Sequence, residues 1–160
     1  MVKFLLNIRL KKLENEQKYI KMENQITKVG VSVIIINKKN EVLVGKRMGS
    51  HGAGLLSVPG GHLEYGESYN TACDRELSEE IGVNFEGKYD KLGFSEDFFF
   101  HNGQHKHYIT LYFVVKNVDS NKIKIENLEP NKCEGWNWIN ISKLPTEMFC
   151  DTYDQIKLLM

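Results

Sequence analysis

The stretch GHLEYGESYNTACDRELSEEIGV, residues 61–83, decides how this chain is read. A glycine-bearing turn leads into a segment that Ser68 opens and Gly82 closes, which predicts a helix over 68–81. On that helix, at about 100° per residue, Glu80 lies about 40° to one side of Glu76 and Glu79 about 60° to the other. The small Ala72 lies between them, and Cys73, Leu77 and Ile81 line the adjacent flank, where they can meet a core. The helix is anchored on one side and presents carboxylates on another.

Clustered carboxylates, with Glu67 added at the helix start, cannot all stay ionised cheaply without cations. Oxygen ligands without His or Cys suit Mg²⁺ or Mn²⁺, and these ions suit phosphate substrates. Arg75 can hold a carboxylate through its bidentate fork. Backbone at Gly60 and Gly61 can approach the ions because no side chain intervenes. The competing reading is a solvated helix with ordinary pairs such as Arg75 with Glu79. The pattern decides between them. Gly61-x5-Glu67-x7-Arg75-Glu76-Leu77-x-Glu79-Glu80-Ile81-Gly82-Val83 fixes seven polar or glycine identities. At roughly 6% per residue type, chance supplies that about once in 10⁸ start positions or fewer.

The surrounding chain is ordinary. Its 160 residues suit one domain with a single buried core, and 41% hydrophobic with 26% charged residues is the balance of a soluble globular protein. Lys plus Arg equals Asp plus Glu at 21 each, so no basic footprint for duplex nucleic acid is expected. No apolar run approaches the ~20 residues of a membrane span. Cys73, Cys133 and Cys150 form no CxxC pair and read as free thiols of a reducing cytosol. Residues 1–27 read as a basic extension ahead of a domain over 28–160. Their opening MVKFLLNIRLKKL lacks acidic residues, so mitochondrial targeting is the alternative to a cytoplasmic location.

VGVSVIII, from Val29, has the look of a buried strand, and EVLVGKR follows it across the polar turn NKKN as a hairpin partner. MGSHGAG is a glycine-rich loop, and LLSVPGGHLE runs extended with a break at Pro59. KLGFSEDFFF and HYITLYFVVKNV read as strands around the turn HNGQ. CEGWNWI is another strand, with Trp136 and Trp138 on one face, and DTYDQIKLLM a final helix. Strands and helices mix without strict βαβ alternation, so the expectation is an α+β layered domain.

The pattern over 61–83 is complete, and by it the chain resembles the Nudix hydrolases, in particular their MutT-like branch of nucleoside triphosphate pyrophosphohydrolases. GKRMGSHGAG, VPGGHLEYGES and EPNKCEGWNW are similar to the plant cytosolic Nudix hydrolases and the human thiopurine nucleotide diphosphatase. The resemblance implies an α-β-α sandwich with a mixed sheet and a loop-helix-loop catalytic box. It implies Mg²⁺, or Mn²⁺, held by Glu76, Glu79, Glu80 and the Gly60 carbonyl, with Arg75 and Glu67 orienting the carboxylates. Glu79 or Glu80 would be the general base. The implied reaction is hydrolysis of nucleoside triphosphates, including oxidised ones such as 8-oxo-dGTP, to monophosphate and pyrophosphate. Its rivals are dihydroneopterin triphosphate, a prenyl diphosphate, a nucleotide sugar, and a non-catalytic nucleotide-binding module. RNA decapping is disfavoured for want of a basic groove. A homodimer is expected by analogy alone.

Substrate contacts are read beside these. Lys46 and Arg47 end a strand next to the glycine loop and could clasp phosphates. His62 matches the subgroup's GGHLE, and Thr110 and Phe149 occupy positions that line the base pocket in similar proteins. Trp136 could stack on a base, although core packing is the plainer reading. His101, His105 and His107 are read as exposed loop histidines, not a zinc site. After LPTEMFC the chain lacks the aromatic tail of its subgroup relatives.

Overall fold

The computed structural model describes residues 26–49, 51–101 and 103–160, together with Lys11. Apart from Lys11, Ile26 and Thr27, the basic segment over 1–27 lies outside the described residues.

The run VSVIII becomes β1 (Lys28–Asn37), a strand covered on both sides. Val31, Val33 and Ile35 point to one core cluster and Ile34 and Ile36 to another, the period-2 division of a pleated strand. β2 (Glu41–Arg47) turns back antiparallel, but the pair is joined only near the turn, at Ile36 opposite Val42. Beyond it the strands part. β2 goes with β3 (Leu56–Ser57) and, later, β7 (Cys133–Asn140). The freed edge of β1 takes β4 (Gly60–His62), with Val31 opposite Gly61.

The other edge of β1 pairs in parallel with β6 (Gln104–Val118), which is paired antiparallel with β5 (Asp90–His101). The sheet is therefore mixed. Helix α1 (Tyr69–Ile81) covers one face and the short α2 (Thr152–Lys157) the other, giving an α-β-α sandwich.

Helix α1 begins where Ser68, in extended backbone, accepts the Thr71 amide through its hydroxyl at 3.2 Å. It ends at Gly82 in the left-handed region, φ 71°, whose amide reaches back to Ser78. Ala72, Cys73, Leu77 and Ile81 are its buried stripe, so the glutamates are left off the core. Leu77→Ala would open a cavity at a fully buried position and cost about 2–5 kcal/mol.

One expectation is corrected here. His101, His105 and His107 are not on a loop but on the strands of the β5–β6 hairpin, which stays paired as far as His101 opposite Gln104. His101 and His107 are half-buried. His107 bonds Glu96 at 2.9 Å and Thr27 at 2.7 Å. The pairing that runs to His101 carries the ladder through the histidines.

Candidate active site

A cavity of about 460 Å³ opens where β2 and β7 separate from β1, with β4 and α1 at one end and β5 at the other. Of the residues expected to form a site, Gly60, Glu76, Glu79, Glu80, Arg47, His62, Thr110, Trp136 and Phe149 line it. Glu67, Arg75 and Lys46 do not.

The acidic end is built on two glycines. Gly60 has φ 153°, and a side chain there would run into the Val31 carbonyl of the neighbouring strand. A methyl at Gly61 would run into both carboxylate oxygens of Glu76. The β4 backbone thus lies directly against the acidic face of α1.

Arg75 organises that face. Its Nε and Nη2 donate to the two Glu67 oxygens at 3.0 Å each, a bidentate fork. Nη2 also donates to the His62 carbonyl at 2.9 Å, tying α1 to the end of β4. Nη1 donates to Glu76 at 2.8 Å and reaches Glu79 at 3.4 Å. Through this fork Arg75 holds the Glu67 carboxyl below the usual carboxylate range.

Glu80 stands differently. It accepts the Gly60 amide at 3.0 Å and has no cationic partner among the described residues. Burial pushes its carboxyl up to about 8, with the Gly60 amide opposing and the neighbouring Glu76 charge assisting. Burial also raises Glu76, against the pull of Arg75.

With the side chains so placed, no three His, Cys, Asp or Glu groups stand together for a metal among the described residues. Arg75 draws Glu76 and Glu79 toward itself, while Glu80 turns to the Gly60 amide. The donor set nevertheless fits a hard divalent cation. It offers three carboxylates and a glycine backbone with no His or Cys, and burial holds one of the carboxyls, Glu80, above the usual carboxylate range.

The opposite end is aromatic. The His51 imidazole lies on the Phe99 ring at 3.8 Å and 5°, with Phe149 edge-on to it at 5.5 Å. The Arg47 guanidinium covers Phe149 at 3.7 Å and donates to the His51 carbonyl at 3.3 Å. Tyr108 stacks beside Phe99 and bonds His62 at 3.2 Å. Thr110 follows Tyr108 two residues on along β6 and lines the same cavity. Trp136 packs against the core beside Trp138 and also lines the cavity.

Lys46 is the exception. Alternation along β2 turns it away from Arg47, and its ammonium pairs with Glu134 at 2.9 Å on the surface. Sequence reasoning overlooked His51, Asp97, Phe99 and Tyr108. The alternation of Asp97, Phe99 and His101 in EDFFFH was an available signal for one cavity-facing row.

Comparison with known proteins agrees with this architecture. A family model described as the NUDIX domain matches residues 26–159. The chain is 26% identical over 155 residues to an RNA pyrophosphohydrolase of Pelagibacter ubique, covering 80% of this chain and 87% of that protein. Among solved structures it is similar to a MutT NUDIX hydrolase from Burkholderia pseudomallei, with TM-score 0.74 and 22% identity, covering 85% of this chain and all of that one. It is also similar to a bifunctional NMN adenylyltransferase/ADP ribose pyrophosphatase from Francisella tularensis, complexed with AMP and a manganese ion. There the TM-score is 0.63 and the identity 24%, over 92% of this chain and 45% of that one.

Proposed function

Since this chain belongs to the Nudix hydrolases, enzymes that act on diphosphate compounds, we propose that its own reaction is hydrolysis of nucleoside triphosphates to monophosphate and pyrophosphate. The substrates would include ordinary nucleotides and oxidised ones such as 8-oxo-dGTP. One observation carries the reading: a single cavity joins an end of oxygen donors to an end of flat rings. A nucleotide has the same polarity, phosphate at one end and base at the other.

Glu76, Glu79, Glu80 and the Gly60 carbonyl would hold Mg²⁺ or Mn²⁺. When bound, the ion would neutralise phosphate oxygens and make water a better nucleophile. Other steps fall to the chain itself. The Glu67–Arg75 fork keeps Glu76 in place against Gly61. Glu79 or Glu80 takes the proton as water attacks phosphorus and the bridging P–O bond breaks. Arg47 covers the nucleoside side, and Phe149, Thr110 and Trp136 line the space for the base. His62 stands between the two ends, bonded to Tyr108.

A second reading, a 5′-triphosphorylated RNA end, has support in the name carried by the Pelagibacter relative. The balanced charge of the chain gives a long polyanion no net attraction, which favours the mononucleotide. The test is incubation with Mg²⁺ and a panel of ordinary and oxidised triphosphates beside a 5′-triphosphorylated oligoribonucleotide, with Glu80→Gln in parallel. Pyrophosphate released from a mononucleotide, and lost in the variant, supports the reading. Turnover of the oligonucleotide alone would replace it with the second.

A further inference from the structure

We propose that residues 1–25 of this chain dock on the outer face of the β5–β6 hairpin and back the far wall of the cavity. That face lies outside the candidate active site, so the choice of substrate has no part in it.

Residues directly opposite in an antiparallel pair share a face of the sheet. Phe94, Phe98 and Phe100 of β5 therefore stand with Leu111, His107 and His105 of β6, turned away from the cavity row that holds Asp97 and Phe99. Leu111 packs on the cluster under α1, so this face continues the one that the helix covers. Beyond the helix it is open: Phe94, Phe98 and Phe100 are 66%, 71% and 64% exposed. At 150–250 Å² per ring, about 300–500 Å² of phenyl surface meets water, the size at which an apolar patch marks a contact. β5 is also an edge strand of 12 residues, whose free backbone groups folded proteins generally cover.

The chain enters this face at Thr27. The Thr27 hydroxyl and His107 Nδ1 share a hydrogen bond at 2.7 Å, and the His107 ring lies on Phe98 at 4.1 Å and 14°. Residues 1–25 are thus tethered beside the phenyl rings, which raises their effective concentration far above that of a free partner.

Their sequence matches the surface in pattern and length. On a helix of about 100° per residue, Leu6, Leu10, Leu13 and Ile20 fall within an arc of about 80°, with Lys11, Lys12 and Lys18 on the opposite side. Of the apolar residues from Leu6 to Ile20, Ile8 and Tyr19 alone lie off that stripe. Lys11 has helical backbone and an exposed side chain. From Leu6 to Ile20 a helix spans about 21 Å, and from Phe94 to Phe100 a strand spans about 20 Å. One stripe would cover the three rings end to end.

The test places the photoreactive p-benzoylphenylalanine at position 98 of the full chain, in an equal mixture of ¹⁴N- and ¹⁵N-labelled protein. Cross-linked peptides are then mapped by mass spectrometry. Links from position 98 to residues 1–25 within one isotope class support docking. Links that join the two isotope classes would mean that a second copy covers the face, and they overturn the assignment. A second measurement needs no cross-linker. In the full chain, Leu10→Asp and Leu13→Asp should each lower Tm by about 3–10 °C and raise the binding of a hydrophobic dye. Adding Phe98→Asp to either should lower Tm little further, because both changes break the same contact. Leucine variants that leave Tm and dye binding unchanged, or losses that sum fully with Phe98→Asp, overturn the assignment as well.

Discussion

The two ends of the cavity hold together in opposite ways. At the acidic end, Glu80 keeps a proton it would lose in water, and Glu76 is shifted the same way by burial. At the aromatic end the groups satisfy one another, His51 on Phe99 and Arg47 on Phe149. One end packs carboxylates together at the expense of their ionisation. The other is a stacked surface whose own members stand where a ligand ring would lie. The first end should govern rate, the second affinity and selectivity.

The strongest test of that division is Glu80→Gln, expected to lower kcat by about 10²- to 10⁴-fold with little change in KM. A comparable rise in KM would merge the two roles. Gly61→Ala comes next. Its methyl displaces the end of a side chain, Glu76, so stability should fall little while kcat drops about 10²-fold from misplacement alone. Thermal unfolding beside steady-state kinetics separates those effects. At the other end, Phe149→Ala should raise KM by roughly 5- to 100-fold, the worth of a stacked base, with kcat nearly kept. A loss confined to kcat would contradict the assignment of affinity to this end.

Protonation supplies a further contrast. The folded protein retains on Glu80 a proton that the unfolded chain releases near 4.5. In metal-free buffer, stability should therefore fall as pH rises from about 4.5 toward 8. Glu80→Gln should flatten that slope, and added Mg²⁺ should raise the melting temperature more at pH 8 than at pH 5. The smallest expected effect is at Lys46, whose surface pair with Glu134 lies outside the cavity. Lys46→Ala should change kcat/KM by less than about twofold.

How much of this was legible in the sequence differs between the ends for a physical reason. Glu67, Arg75, Glu76, Glu79 and Glu80 sit within one short segment, and helix periodicity alone puts Glu76, Glu79 and Glu80 on one side. Ser68 and Gly82 mark its limits, and the structure places α1 between them. The β1 run was equally legible, because a strand buried on both faces reads as continuous apolar sequence.

The aromatic end draws on β2, the loop after it, β5, β6 and the segment before α2, and no local pattern says that these meet. Even the alternation in EDFFFH leaves open which alternate set faces inward, since a one-residue slip exchanges the faces of a strand. The β5–β6 ladder itself shifts register between Lys91 and Gly93. The same applies to the pair Lys46 and Arg47. Their spacing guarantees that they diverge, and only the packing of β2 between β3 and β7 decides that Arg47 is the inward one.

By itself, then, the sequence determined the acidic helix, its caps and its oxygen-only chemistry, because neighbours along a helix are neighbours in space. Tertiary structure alone decided what faces that helix across the cavity. The register of strands far apart in the chain is fixed by which face of each is buried, and that is settled only when the whole sheet forms.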